Sequence, residues 1–140
     1  MLFRSSAAPD ITVGGIAALT SSGVQAAVSM CRLGSSEYPL PTQRHLLVPL
    51  IDTNSESENL NLEFLLYDTA TMVHHFVQLG WHTAVHCVAA QSRTPAVAAA
   101  YLVLHRGMTV DEALAAVRSA LPHANPQPRF IKALQSFAPN

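Results

Sequence analysis

Residues 84–94 read Ala-Val-His-Cys-Val-Ala-Ala-Gln-Ser-Arg-Thr, and Pro95 follows. One cysteine, Cys87, and one arginine, Arg93, are separated by five small or uncharged residues. Ahead of Cys87, the short apolar run from Thr83 predicts a buried strand. After the loop, Pro95 and the run Ala-Val-Ala-Ala-Ala-Tyr-Leu-Val-Leu predict a helix with its proline near the first helical position. A loop between a strand end and a helix start faces unpaired backbone N–H groups and the positive end of the helix dipole. Both hold an anion and lower the pKa of a nearby thiol. Arg93 adds a planar fork that binds two phosphate oxygens at once, a geometry lysine lacks. The stretch therefore reads as a phosphate cradle, with Cys87 at its centre and Val88, Ala89, Ala90, Gln91, Ser92 and Arg93 around it.

Moving upstream, Gln25–Met30 and His45–Ile51 are short apolar runs bounded by polar or glycine residues, as strands are. Ile11–Val13 is expected to add an edge strand before Gly14-Gly15. Between the second and third firm strands, Leu62, Leu65, Leu66, Thr69, Met72, Val73, Phe76 and Val77 recur at helical spacing, and Gly80 is placed to end that helix. Strand, long helix and strand in this order imply a right-handed crossover into a parallel sheet. Downstream, the helix from Pro95 stops at Gly107, and Thr109 with Glu112 predicts a capping box for Val110–Leu121. Pro128 opens a last helix carrying Phe130, Ile131, Leu134 and Phe137. The expected fold is α/β: one domain over residues 1–140, with residues 1–10 loose and about four largely parallel strands flanked by helices. In such sheets ligands bind beyond the carboxyl ends of the strands, where Cys87 falls.

Composition narrows the class. Apolar residues make up 49% and charged residues 12%, but the apolar ones are dispersed, so no membrane span of about 20 residues is expected. The first residues lack the basic and apolar segments of a secretory signal, and two cysteines make no disulfide framework. A thiolate nucleophile needs a reducing compartment, so a cytoplasmic location is expected. A net charge of −1 without a basic run offers no footprint for nucleic acid or an anionic membrane.

Individual residues carry plainer readings too. His86 precedes Cys87 on a strand and so faces the opposite side; it reads as a buried brace of the loop, not as the base of a Cys/His pair. Thr94 reads as the helix N-cap before Pro95, and Ser92 as a structural hydroxyl of the loop. His74, His75 and His82 form no convincing set with the cysteines, and no metal or other cofactor is expected. Cys31 falls at the carboxyl end of a neighbouring strand; it reads as a core cysteine or as a resolving thiol that traps oxidised Cys87.

The Cys87–Thr94 loop resembles the Cys-x5-Arg-Ser/Thr loop of the cysteine-dependent protein phosphatases, specifically the dual-specificity branch. Leu46–Asp52 resembles that branch's strand ending in the general-acid aspartate. Gly107–Ala113 and Asn125–Phe130 resemble its closing helical segments, so the resemblance covers roughly residues 25–137. The segment Val28–Gly34 and the wording of the loop look most like a bacterial subgroup found beside ADP-ribosylglycohydrolases. The resemblance implies a phosphotyrosine-phosphatase-like fold and hydrolysis of phosphomonoesters through a cysteinyl-phosphate. It further implies Asp52 as general acid, with Glu56 and Glu58 as substitutes, and Thr94 as a hydroxyl that assists the second step. One departure stands out: the third residue after the cysteine is usually glycine, and here it is Ala90. If positive φ is needed there, alanine costs on the order of 1 kcal/mol. The uncharged side chains of Val88, Ala89 and Gln91 do not suit a ring bearing several phosphates, which leaves a phosphoprotein or a small phosphoester as substrate. Two competing readings are a phosphate-binding module without turnover and a rhodanese-like sulfur transferase.

Overall fold

A computed structural model describes residues 2–5, 8–20, 23–31 and 40–137. Alternation along the strands divides the chain into its two sheet faces. Ala26, Val28, Val85 and Cys87 join the large apolar core, whereas Ala27 and Ala84 join a small cluster with Leu19. Ser29 and His86 share that second, thinner face, where their side chains meet. The sheet has five strands in the order β1 (Leu2–Ser5), β2 (Ala8–Gly14), β5 (Thr83–His86), β3 (Ala26–Ser29) and β4 (His45–Leu47). β2, β5, β3 and β4 are parallel neighbours, and β1 pairs antiparallel with β2. The expected four parallel strands are present, with two corrections. The strand at Ile11–Val13 is not an edge, since β2 has a partner on each side, and part of the stretch expected to be loose, residues 1–10, is strand.

The strand expected over His45–Ile51 ends at Leu47. Pro49 lies inside the apolar run, and across it the Leu50 N–H turns back on the Val48 carbonyl at 2.8 Å. That turn frees the Leu50 carbonyl for the site below.

Among the described residues there are four α-helices, α1 (Leu62–Gln78), α2 (Arg93–Arg106), α3 (Val110–Ala120) and α4 (Pro128–Gln135). α1 is the crossover between β4 and β5, and Gly80, at φ 86°, closes it as its position predicted. α2 is buried along most of its circumference, and Ala96, Ala98, Ala99 and Ala100 are small enough to allow neighbours on every side. α2 begins at Arg93, two residues before Pro95, so Thr94 lies inside the first turn and Ser92 is the cap position. Thr94 therefore does not cap the helix; its hydroxyl donates to the Gly14 carbonyl instead, at 3.4 Å. The Thr109–Glu112 capping box and Gly107 at φ 68° are as expected. On α4, Phe130 and Leu134 are fully buried, worth about 1.5–3 kcal/mol each. They anchor the helix so that the segment leading into it, Asn125–Gln127, lies against the site.

Candidate active site

β5 ends at His86 and α2 starts at Arg93, so Cys87–Ser92 form the connecting loop at the carboxyl end of a central strand. Cys87 is only 2% exposed. The loop is held from behind. The Cys87 N–H donates to the Gly14 carbonyl (3.4 Å), the Asn125 N–H donates to the Gln91 carbonyl (2.6 Å), and the buried Ser92 Oγ accepts from the Gln127 N–H (2.9 Å). Gly15 lies so close beneath Val88 that a Cβ there would come within 2.7 Å of its carbonyl oxygen, so only glycine fits. Ala90 holds φ at 58°, the left-handed conformation that makes alanine costly.

These attachments use the Cys87 N–H, the Gln91 carbonyl and the Ser92 hydroxyl, and leave the other backbone donors of the loop. Among the described residues, none of the N–H groups of Val88, Ala89, Ala90, Gln91 and Ser92 donates to a protein acceptor. A run of such donors at a helix start binds an anion. Arg93 is fixed beside them: its Nη1 donates to the carbonyls of Met30 (2.9 Å) and Leu50 (3.3 Å), which lie just past the ends of β3 and β4. With Nη1 engaged, Nε and Nη2 are the pair available for two oxygens of one anion.

His86 is fully buried on the opposite face from Cys87, as its place on the strand predicts. Its Nε2 is hydrogen-bonded to Ser29 Oγ, which also meets His45 Nε2 at 2.7 Å. Burial holds the His45 pKa below the usual histidine value. Cys31 follows Met30 at the end of β3, the neighbour of β5, and is 8% exposed; Arg32–Gly34 lie outside the described residues.

Asp52 lies in the exposed loop after β4, and Gln127 Nε2 donates to its Oδ1 at 3.0 Å. Since the N–H of the same Gln127 binds Ser92, a single residue joins Asp52 to the cysteine loop. Glu56 and Glu58 are exposed, and among the described residues no hydrogen bond ties their carboxylates to the loop. Arg129 reaches back into this region: its N–H donates to Asn54 Oδ1 (2.9 Å) and its guanidinium to the carbonyls of Ser55 (2.9 Å), Glu58 and Asn59 (3.2 Å). Asn59, at φ 50°, pairs both its side-chain groups with the backbone of Ile51 (2.8 and 2.6 Å) and so ties off the base of the loop.

Sequence reasoning missed Gln127, Arg129, Asn59 and the Ser29–His45 pair. Only Gln127 had a visible local signal, its place between two prolines. His74 stacks on His105 (centroids 4.1 Å apart) and His82 binds Thr12; among the described residues no three His, Cys, Asp or Glu side chains gather to hold a metal. No helix among the described residues is long and apolar enough to cross a membrane.

Residues 15–139 match the family described as "Dual specificity phosphatase, catalytic domain". Human "Dual specificity phosphatase 28" is 34% identical over 116 residues, which cover 81% of this chain and 64% of that protein. The chain thus spans less than two thirds of that relative. The crystal structure of human DUSP28 superposes with a TM-score of 0.78 at 29% identity, covering 97% of this chain and 91% of that one. A mouse putative dual specificity phosphatase, crystallised in complex with zinc tungstate, has a TM-score of 0.74 at 30% identity over 91% of this chain and 80% of its own.

Proposed function

This chain belongs to the dual specificity phosphatase family, and from that premise we propose that it hydrolyses phosphomonoesters of proteins through a cysteinyl-phosphate. The observation that carries the reading is the row of unspent N–H donors from Val88 to Ser92, with Nε and Nη2 of Arg93 beside them, set around Cys87. The mouse relative's tungstate complex supports it, since tungstate is an oxyanion.

The Cys87 thiolate attacks phosphorus opposite the leaving oxygen. As the P–S bond forms the P–O bond breaks, its electron pair goes to the leaving oxygen, and the Asp52 carboxyl supplies a proton there. The loop N–H groups and Arg93 hold the equatorial oxygens, whose charge they meet without reorganising. Water then attacks phosphorus and gives a proton to the Asp52 carboxylate. The P–S bond breaks, and its electron pair returns to Cys87 with Thr94 donating to the thiolate. His86 braces the loop from the other face.

The neutral rim formed by Val88, Ala89 and Gln91 favours a singly phosphorylated side chain over a polyphosphorylated ring. A cytoplasmic location, with no role for nucleic acid or membrane, follows from the net charge of −1 and the need for a reduced thiol. Cys31, buried past the end of the strand beside β5, packs as a core cysteine, and its neighbouring strand end also suits a resolving thiol for oxidised Cys87. The finer placement in a bacterial subgroup beside ADP-ribosylglycohydrolases rests on the wording of Val28–Gly34 and the loop alone, and the relatives described above are human and mouse proteins.

The test is phosphate release from an aryl phosphate across about pH 5–8, where acid–base catalysis by two groups gives a bell-shaped profile. Cys87→Ser should abolish turnover, and Asp52→Asn should lower it roughly a hundredfold for a poor leaving group. Tungstate binding by a wild-type protein that releases no phosphate would instead establish the binding module. Thiosulfate-dependent sulfur transfer would establish the rhodanese-like enzyme.

A further inference from the structure

We infer that residues 125–129 form a positioning strap for the general acid, with Gln127 orienting the Asp52 carboxyl and Arg129 holding the loop that carries it. The inference rests on the role of Asp52 proposed above.

The strap touches both halves of the site. Its Asn125 N–H and Gln127 N–H bind Gln91 and Ser92 of the cysteine loop, while the Gln127 side chain and Arg129 bind the aspartate loop. Backbone chemistry makes Gln127 a fixed point. Pro126 precedes it and Pro128 follows, and a residue before proline is confined to extended geometry; Gln127 adopts φ −54°, ψ 143°. The donor amide therefore starts from a backbone with little freedom to lose.

The contact has a chemical consequence. Gln127 Nε2–H donates to Oδ1, the oxygen that accepts, so the acid's proton resides on Oδ2 and is free to face the leaving oxygen. The aspartate loop needs such outside support. Its own bonds are short-range ones, Thr53 N–H to Ile51, Ser55 N–H to Thr53 and Ser57 N–H to Ser55, and almost all of its residues are exposed. Arg129 supplies three further carbonyl contacts from a helix held by buried Phe130 and Leu134. Misplacing a catalytic group by about 1 Å costs up to a hundredfold in rate.

The experiment compares phenyl phosphate, whose leaving group needs a proton, with 2,4-dinitrophenyl phosphate, whose leaving group does not. Gln127→Ala should lower kcat on phenyl phosphate roughly tenfold and change the dinitrophenyl ester less than about twofold. Adding Gln127→Ala to Asp52→Asn should cost nothing further. Arg129→Met should show the same leaving-group selectivity, and Arg129→Lys, which keeps donors, should restore part of the loss. Melting temperatures identify any variant that fails to fold; the Gln127 side chain is half-exposed, so its truncation leaves no cavity in the core. An equal loss on both esters would mean that the strap merely braces the cysteine loop, and no loss would mean that the contact is idle; either overturns the inference. If Asp52→Asn itself leaves the leaving-group dependence unchanged, the acid assignment fails and the inference falls with it.

Discussion

The cysteine loop, Cys87–Ser92, and the aspartate loop, Asp52–Glu58, both follow parallel strands at their carboxyl ends, yet different things hold them. The cysteine loop has a strand before it and a helix immediately after it, with Cys87, Ala90 and Ser92 buried between. The aspartate loop is almost wholly exposed, and its long-range supports come from Gln127 and Arg129, some 70 to 75 residues away in sequence. The nucleophile's half of the site is thus set between a contiguous strand and helix and clamped by backbone groups of Gly14, Asn125 and Gln127, whereas the acid's half depends on two side chains that the fold delivers. A loop flanked by strand and helix and clamped through backbone groups has little freedom to move; a loop held by remote side chains can be loosened without unfolding anything.

The sharpest way to break this comparison is Arg93→Lys. Arg93 serves the cysteine loop twice, through carbonyls at two strand ends and through its remaining fork, and lysine reproduces neither arrangement. Turnover should fall by roughly a hundredfold to a thousandfold on every ester regardless of leaving group. A loss confined to poor leaving groups would show that the arginine acts on the acid's half and would dissolve the distinction. Steady-state kinetics on the two aryl esters decides it.

Ala90→Gly tests how much strain the stiff loop carries. Removing the Cβ from a residue at φ 58° should stabilise the protein by up to about 1 kcal/mol, partly offset by the freedom glycine adds to the unfolded chain. Turnover should rise modestly on both esters. A lower melting temperature would mean that packing of the Ala90 methyl, which is 8% exposed, outweighs the strain.

The smallest expected effect is in pH. Burial lowers the pKa of His45, and burial together with His74 lowers that of His105. The unfolded chain takes these protons near pH 6.5 while the folded one resists them. Stability present above that value is therefore lost as pH falls below it. Thermal melts at pH 7.5 and 5.5 should show a decline that His45→Gln and His105→Gln each reduce. Because His45 reaches His86 through Ser29, the cysteine loop should feel the change before the aspartate loop does. A decline untouched by both substitutions would refute this assignment.

Much of the fold was legible because its signals are local. The alternation in β3 and β5, the helical spacing of α1, the Thr109–Glu112 box and the stops at Gly80 and Gly107 each depend on neighbours within a few residues. Thr94 was misread for an equally physical reason: a hydroxyl before proline suits a cap, but the turn already begins at Arg93, and tertiary contact with Gly14 claims the side chain. β4 was drawn too long because an apolar run does not reveal that Pro49 will fold it back.

The sequence by itself determined the α/β order and the strand, loop and helix that carry Cys87 and Arg93, since each follows from residue types and spacing along one short stretch; strain at Ala90 was a conditional expectation from the family resemblance, and the structure supplied its φ of 58°. Only the tertiary structure decided which side chains support the aspartate, that Ser29 links two histidines beneath the loop, and that β2 lies inside the sheet. Those contacts join residues far apart in the chain, and their partners are selected by where packed strands and helices bring them, which no local pattern encodes.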